Sequence, residues 1–344
     1  MPSGKSAKRL LVLGLLVLAA LFLAGLITGG IGTAILQGED KEPIFVSQPE
    51  VHLPPQTIFP NSARDHYIEF LEAEEKEKAE GHGALTHHEE ELVAGGPFGG
   101  GSWVVTNTML SAWVTSLLLI GLFVLVARRA KMVPGRLQSL VEIVVETLLN
   151  FVEGVIGRDM ARKVFPLIAT IFLFVLLNAW IALIPIYPVL GFENSHGDLA
   201  VHLLRSAGTD LNMPLALALV SFVFVEFLGL RHLGLSYIGK FIPVGSFLRS
   251  LRRKDIFGAF VAVFVGFLEM ISEMVRIVSF TFRLFGNMTA GEVLVLMATF
   301  LVPFVATVAV YGLELLVGLV QALIFAGLTL VFATIAIASH QEEH

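Results

Sequence analysis

An arginine and several carboxyl and amide side chains occur within sequence that is otherwise strongly apolar. Arg283 stands in the stretch SFTFRLFGNMTAGE, residues 279–292. Arginine stays protonated in proteins, and a charged side chain at mid-membrane costs about 2.5–3.5 kcal/mol on insertion scales. A guanidinium in such surroundings needs a counter-ion, so this stretch predicts a site that handles charge.

The polar residues around Arg283 share one face if the segment is helical. At about 100° per residue, four of them lie within about 40° of Arg283: Glu269, Arg276, Ser279 and Asn287. Glu292 points in nearly the opposite direction. We interpret Arg276 as structural, because Glu273 precedes it by about one helical turn.

Two glutamates are candidates for ion transfer. Glu292 follows Arg283 on the same segment, and Glu314 stands in the next apolar stretch, on the same helical face as Gln321. Carboxyl groups inside a membrane are typical of proton relays. The small residues Gly318 and Ala322 beside them allow another helix to approach closely.

Two interpretations of Arg283 remain open from the residues. In the first, the guanidinium pairs with Glu292 or Glu314 and holds two helices of the same chain together. In the second, Arg283 is a fixed cation that awaits a mobile anion from another subunit.

The composition indicates an integral membrane protein. Hydrophobic residues make up 55% of the 344 and charged residues 15%, with a mean hydropathy of +0.79. Soluble domains carry about 25% charged residues. The chain has no cysteine, which excludes disulfides and thiolate chemistry. The basic residues lie beside apolar segments, so no nucleic-acid surface is expected.

Residues 37–102 form an acidic region that interrupts the apolar sequence. It holds 14 of the 29 Asp and Glu residues but 4 of the 23 Lys and Arg residues. Five histidines suggest a metal site, but their spacing is not that of a zinc motif: His52, His66, His82, His87 and His88. We interpret the region as a solvated loop without a metal. Its glycine-rich run, GGPFGGGS, lacks the Lys-Ser/Thr of a phosphate loop, so no cofactor or ATP site is expected.

Apolar segments long enough to cross a bilayer predict an all-α, polytopic membrane protein. A spanning helix needs about 20 apolar residues. The candidates are an N-terminal anchor and five further segments: residues 10–36, 104–127, 164–187, 211–230, 256–301 and 304–338. A cleaved signal peptide is the alternative for the first, but its apolar region is only about 7–15 residues long. A polar loop is expected over residues 194–210.

One predicted helix is amphipathic rather than spanning. Polar residues recur every three or four positions in RLQSLVEIVVETLLNFVEG, at Gln138, Glu142, Glu146, Asn150 and Glu153. This period gives one polar stripe against an apolar face. We expect the helix to lie at the membrane surface or against the bundle.

The last two apolar segments are too long for simple spans. A helix over residues 256–301 would be about 69 Å long, whereas the hydrocarbon core is about 30 Å thick. Either the chain turns back near Gly286 and Asn287, or one strongly tilted helix continues through. The sequence therefore predicts a long, tilted C-terminal hairpin.

Clusters of Lys and Arg predict the orientation in the membrane. They precede residue 10, follow residue 127 and follow residue 230, and all three fall on one side if the spans are correct. That side is expected to be cytoplasmic, together with the C-terminus. The chain then divides into an anchor (1–36), an extracytoplasmic acidic loop (37–102) and a helical domain (103–344).

From residue 104 to residue 344 the sequence resembles subunit a of the membrane sector of the F-type ATP synthase. The strongest motif is RLFGNMTAGE, which contains Arg283. Four further segments occur in the family's order: VPGRLQSLVEIVVE, FPLIATIFLFVLLNAWIALIP, TDLNMPLALALV and LVQALIFAGLTLVFATIAIASHQEEH.

The resemblance implies an ion-translocating subunit, with the proton as the expected ion, that is not catalytic alone. Arg283 would face the carboxylates of a rotating ring of c subunits, with Ser279, Asn287 and Gln321 around it. Glu292 and Glu314 would line an outside-facing half-channel. The residues implied elsewhere are Asp210 and Asn212 near the mouth of that half-channel, and Glu269, with Glu273 as a weaker candidate, in the cytoplasmic one.

The resemblance also implies partners and a location. The partners would be the c-subunit ring, b-type peripheral stalk subunits, the whole F1Fo complex and the lipid bilayer, with no nucleic acid. The location would be the plasma membrane of a bacterium. Two features depart from the family: both Glu292 and Glu314 are glutamates where many members pair glutamate with histidine, and residues 1–102 are additional.

Two other classes remain as alternatives. A secondary transporter also carries charges inside the membrane, but it usually shows internal repeats and discontinuous helices. The motif RLFGNMTAGE occurs once. A structural membrane scaffold would not need a buried arginine.

Overall fold

The computed structural model describes residues 4–36, 55–61, 63–65, 67–68, 104–184, 190–193, 199–234, 237, 239 and 256–338. Within these ranges, six helices are long and apolar enough to cross a membrane. The prediction of an all-α, polytopic membrane protein is therefore confirmed. Most of the acidic region, including its five histidines, lies outside the described residues.

The elements follow one another in this order: α1 (Gly4–Thr28), α2 (Gly30–Leu36), β1 (Thr57–Phe59), β2 (Val105–Thr106), α3 (Asn107–Arg128), α4 (Arg136–Ile156), α5 (Arg158–Ala182), β3 (Gly191–Glu193), β4 (Leu199–His202), a 3-10 turn (Ala207–Thr209), α6 (Asn212–Leu233), α7 (Ile256–Leu301) and α8 (Val305–Ala338). The anchor predicted as one segment over residues 10–36 is divided at Gly29. We call the end of the bundle where α5 ends and α3 and α6 begin the upper end.

The long segment is a single helix. α7 runs for 46 residues without a break at Gly286 or Asn287. The alternative with a turn at this point is therefore wrong. A helix of about 69 Å is more than twice as long as the hydrocarbon core of about 30 Å, so α7 must cross a bilayer obliquely.

Helix α8 is the centre of the bundle and packs on α5, α6 and α7. Its small residues allow the close approach that the sequence predicted, and the neighbour is α5: a Cβ at Gly318 would lie 2.9 Å from Cβ of Ala179. The indole of Trp180 donates to the carbonyl oxygen of Leu315 at 3.0 Å. On the α6 side, the hydroxyls of Ser221 and Thr329 are 2.8 Å apart.

Helix α4 has the expected amphipathic pattern. It buries Val141, Leu148 and Val152, and it packs on α5 and α8. The connection to α5 is a single residue, Gly157, whose φ of 83° lies in the left-handed region that favours glycine. This short turn keeps α4 against the bundle.

Short strands occur at the upper end, where the sequence predicted no strand. β3 pairs with β4 in one antiparallel ladder, and β1 pairs with β2 in another. Strands of two to four residues are too short to show an alternating hydrophobic pattern, so they gave no periodic signal in the sequence. The second ladder connects the N-terminal region to the start of α3.

Candidate ion-translocation site

Arg283 lies on α7 with a partly exposed side chain. Its Nη2 atom is 3.5 Å from Oγ of Ser279, which is loose because N–H···O bonds usually measure about 2.7–3.2 Å. The guanidinium is 5.8 Å from the ring centre of Phe280. Among the described residues, no carboxylate lies within 4.0 Å of it. The interpretation that pairs Arg283 with Glu292 or Glu314 is therefore wrong for the described chain.

Glu292 is bound instead by Arg205, which the sequence analysis missed. Nε of Arg205 lies 3.0 and 3.1 Å from the two carboxylate oxygens, and Nη2 lies 2.9 Å from Oε2. Arg205 is 8% exposed. One signal was present: Arg205 is the single basic residue of residues 190–210, on the side where Lys and Arg are scarce.

The carboxyl group of Glu314 lies against α7 at Gly291, the residue before Glu292. A Cβ at Gly291 would come within 2.6 Å of Cδ of Glu314, so a side chain at position 291 would displace this carboxyl group. Gly291 therefore makes room for a glutamate from α8 next to the position occupied by Glu292. The two predicted relay residues are thus brought to one region of α7.

Asn287 and Gln321 join α7 to α8 one helical turn from Arg283. Nδ2 of Asn287 donates to Oε1 of Gln321 at 2.7 Å. Gln321 is 1% exposed, and its Nε2 finds no acceptor among the described residues. Buried amides are usually hydrogen-bonded, so this pair presents a free donor near the arginine.

Asp210 is buried, and both of its oxygens accept hydrogen bonds. Thr108 donates to Oδ2 at 2.9 Å, and the backbone N–H of Asn212 donates to Oδ1 at 3.0 Å. These contacts join α3 to the first turn of α6. The side chain of Asn212 is exposed. The structure therefore gives Asp210 a bracing position at the upper end.

A second cluster of charged side chains surrounds Arg276, which lies on α7 on the opposite side of Arg283 from Glu292. Arg276 forms ion pairs with Glu273, as the spacing predicted, and with Glu226 of α6 at 3.3 Å. Its guanidinium lies 4.4 Å from the ring centre of Phe332. Glu269 is partly buried on α7. Glu226 was not among the residues predicted from the sequence, although this glutamate interrupts the apolar run LALALVSFVFVEFLGL.

Tyr237 extends this group beyond the end of α6. The side chain is buried, and burial followed by the nearby Glu226 carboxylate raises the pKa of its hydroxyl. The hydroxyl therefore stays protonated and donates a hydrogen bond to Glu226. A Cβ at Gly229 would lie 2.6 Å from the Tyr237 ring, so this glycine is needed for the ring to pack.

The charged side chains of α7 thus form three levels. Glu292 stands about 14 Å above Arg283 along the helix, and Arg276 about 10 Å below it, at 1.5 Å per residue. The arginines of the outer levels are paired with carboxylates, and the guanidinium between them is not, within the part of the chain described. No three His, Asp or Glu side chains among these residues are grouped as a metal site requires.

A multi-pass helical bundle with separated acidic groups and a cation between them belongs to the class of membrane proteins that transfer ions. Comparison with known proteins gives the family. The family model described as ATP synthase A chain matches residues 109–334, well over half of the chain. The chain belongs to this family, the membrane subunit a of F-type ATP synthase.

Individual relatives agree with the family match. ATP synthase subunit a of Gloeobacter violaceus is 34% identical over 238 residues, which cover 69% of this chain and 86% of the relative. The Mycobacterium bovis subunit a is 32% identical, covering 71% and 92%. That of Nitratidesulfovibrio vulgaris is 33% identical, covering 68% and 87%.

Proposed function

We propose that this chain is the proton-translocating stator subunit of its ATP synthase, with Arg283 facing the carboxylates of a c-subunit ring between two half-channels. The observation that carries the proposal is the state of Arg283. Buried Arg205 and partly buried Arg276 both have carboxylate partners, whereas Arg283 has none among the described residues. A carboxylate on another subunit would supply the counter-ion of Arg283.

The surface of α7 beside Arg283 is suited to such a partner. Val275, Val278 and Phe282 are more than half exposed, and Ser279 is exposed among them. This apolar strip, with one hydroxyl and one guanidinium, fits an apolar helix that carries a single carboxylate. Asn287 and Gln321 lie one turn further along the same path.

The two outer levels serve as half-channels. Glu292 and Glu314, with Asp210 and Asn212 towards the entrance, form the upper route, and Glu269 with Glu273 lies on the lower route. A proton from one route neutralises a ring carboxylate, which then rotates into lipid and releases its proton to the other route. ATP chemistry belongs to other subunits of the F1Fo complex.

Arg283 prevents a direct leak between the routes. Two opposite charges 4 Å apart attract by about 4 kcal/mol at an effective dielectric constant of 20. The guanidinium therefore holds an ionised ring carboxylate as it passes and repels cations that would bypass the ring. Glu292 lies about 14 Å from this position, too far to replace the ring carboxylate.

The upper end is extracytoplasmic in this proposal, and the C-terminus is cytoplasmic, in the plasma membrane of a bacterium. Basic residues at Arg128, Arg129 and Lys131 mark the cytoplasmic side. The b-type stalk subunits hold the chain still against the turning ring. Residues 103–344 carry the ion path, and residues 1–102 form the added anchor and outer loop.

The decisive experiment replaces Arg283 by alanine in the assembled complex. Arg283→Ala is expected to abolish ATP-driven proton pumping in reconstituted vesicles, because no fixed cation then holds the ring carboxylate. Arg158→Ala is the matched control, since that side chain is 89% exposed; it should pump normally. Full pumping by an assembled Arg283→Ala complex would overturn the proposal.

A further inference from the structure

Part of the added N-terminal region is built into the upper end. The segment 55–59, which we call the added segment, precedes the residues that match the family model. β1 within it pairs with β2, and Ile58 is fully buried. The segment is therefore a packed part of the bundle, outside the region shared with the family.

Gln56 joins three parts of the chain. Its backbone N–H donates to Oδ1 of Asn107 at 3.2 Å. Its side-chain Oε1 accepts from Nδ2 of Asn107 at 3.3 Å and from the backbone N–H of His202 at 2.9 Å. Gln56 is 2% exposed and Asn107 is fully buried. Buried hydrogen bonds of this kind are costly to leave unmade, so Gln56 fixes β4 against α3.

The residue that binds Glu292 lies three positions after His202. The backbone N–H of Arg205 donates to Oγ of Ser111 on α3 at 3.1 Å. Its guanidinium then contacts both oxygens of Glu292. Two N–H groups on one carboxylate fix its orientation as well as its position. Displacement of β4 would therefore displace the guanidinium and free the Glu292 side chain.

We propose that the added segment is a clamp: Gln56 holds the loop of Arg205 at the upper end, and Arg205 is the positioning residue that orients the carboxylate of Glu292. The effect on ion transfer rests on the proposed function. The claim that Gln56 holds the loop does not rest on the proposed function, and it is tested separately.

The first experiment measures the loop directly. Ala207, two residues after Arg205, is fully buried, and the chain has no native cysteine. In the complete complex, Ala207→Cys should react with a membrane-impermeant maleimide about tenfold faster when Gln56→Ala is also present. Gln56→Glu, which keeps an acceptor oxygen for Asn107 and His202, should restore slow labelling. Asn61→Ala, an exposed residue near the clamp, should not change it.

Equal labelling rates in the Gln56→Ala and Asn61→Ala backgrounds would overturn the clamp. This result does not depend on ion transport. If Arg283→Ala pumped normally, the proposed function would be wrong. The labelling rates would still test whether Gln56 holds the loop.

The second experiment tests whether Gln56 acts through Arg205. Arg205→Ala should slow ATP-driven proton pumping about tenfold, since small misplacements in a site have effects of this order. Gln56→Ala should slow it about threefold, and the double variant should be no slower than Arg205→Ala, because residues that act through one another are not additive. A double variant whose losses multiply would contradict the positioning role.

Discussion

Three arginines at membrane depth or beside it differ in what surrounds them. Arg205 and Arg276 are each held by carboxylates of the same chain. Arg205 is 8% and Arg276 12% exposed, and removing their carboxylates would leave a largely buried charge without a partner. Arg283 makes one loose hydrogen bond, with Ser279, among the residues described. Arg283 therefore differs from Arg205 and Arg276 in having no carboxylate partner among the described residues.

The side of α7 that carries Ser279 is expected to meet the c-subunit ring. Ser279→Cys should form a disulfide with a cysteine placed beside the ring carboxylate, because Ser279 is exposed on the face of Arg283. Thr281→Cys is the control, since Thr281 is 3% exposed and faces the bundle. Non-reducing electrophoresis gives the result. Efficient cross-linking of Thr281→Cys alone would mean that the wrong face was assigned.

The N-terminal helix packs on the turn of the C-terminal hairpin. A Cβ at Gly29 would lie 2.7 Å from Cδ of Pro303, and one at Gly25 would lie 3.2 Å from the carbonyl carbon of Pro303. Phe304 in this turn has a φ of 72°, a region that bulky residues rarely occupy. Close packing of α1 therefore supports a strained connection between α7 and α8.

Larger side chains on this face of α1 should destabilise the chain. Gly25→Leu is expected to lower the free energy of unfolding by about 1–3 kcal/mol, as overpacking usually does. Gly14→Leu is the control: Gly14 lies on the same helix, and no other described residue would come within 4 Å of a Cβ there, so this change should be neutral or slightly stabilising. Thermal unfolding of the purified protein compares them. Equal midpoints would show that α1 does not need this contact.

The orientation of the whole molecule follows from the distribution of its charges. Basic residues cluster where α3 ends, and the acidic region precedes the start of that helix in sequence. Cytoplasmic loops retain Lys and Arg during insertion. The upper end, with the clamp and the Arg205 loop, is therefore expected to face outwards.

Labelling of intact cells tests this orientation. Asn61→Cys, at the upper end, should react with an impermeant maleimide added outside. Met132→Cys, fully exposed beside Lys131, should react only in inside-out vesicles. The opposite pattern would reverse the proposed direction of both half-channels.

The sequence by itself determined the long helices of this protein and the residues that stand out on them. Apolar length gave the six long helices, and helical spacing gave the Arg276–Glu273 pair, because both are properties of one continuous segment. The unbroken course of α7 was left open, since the glycine and asparagine at its centre are compatible with either a turn or a helix.

Only the tertiary structure decided which charges meet. Arg205 binds Glu292, Glu226 reaches Arg276, and Gln56 joins β4 to α3. Each contact connects segments far apart in sequence, and the register of strands and the rotation of helices about their axes set it. Local periodicity cannot supply this information, because it fixes the face of a residue and not the neighbour that packs against that face.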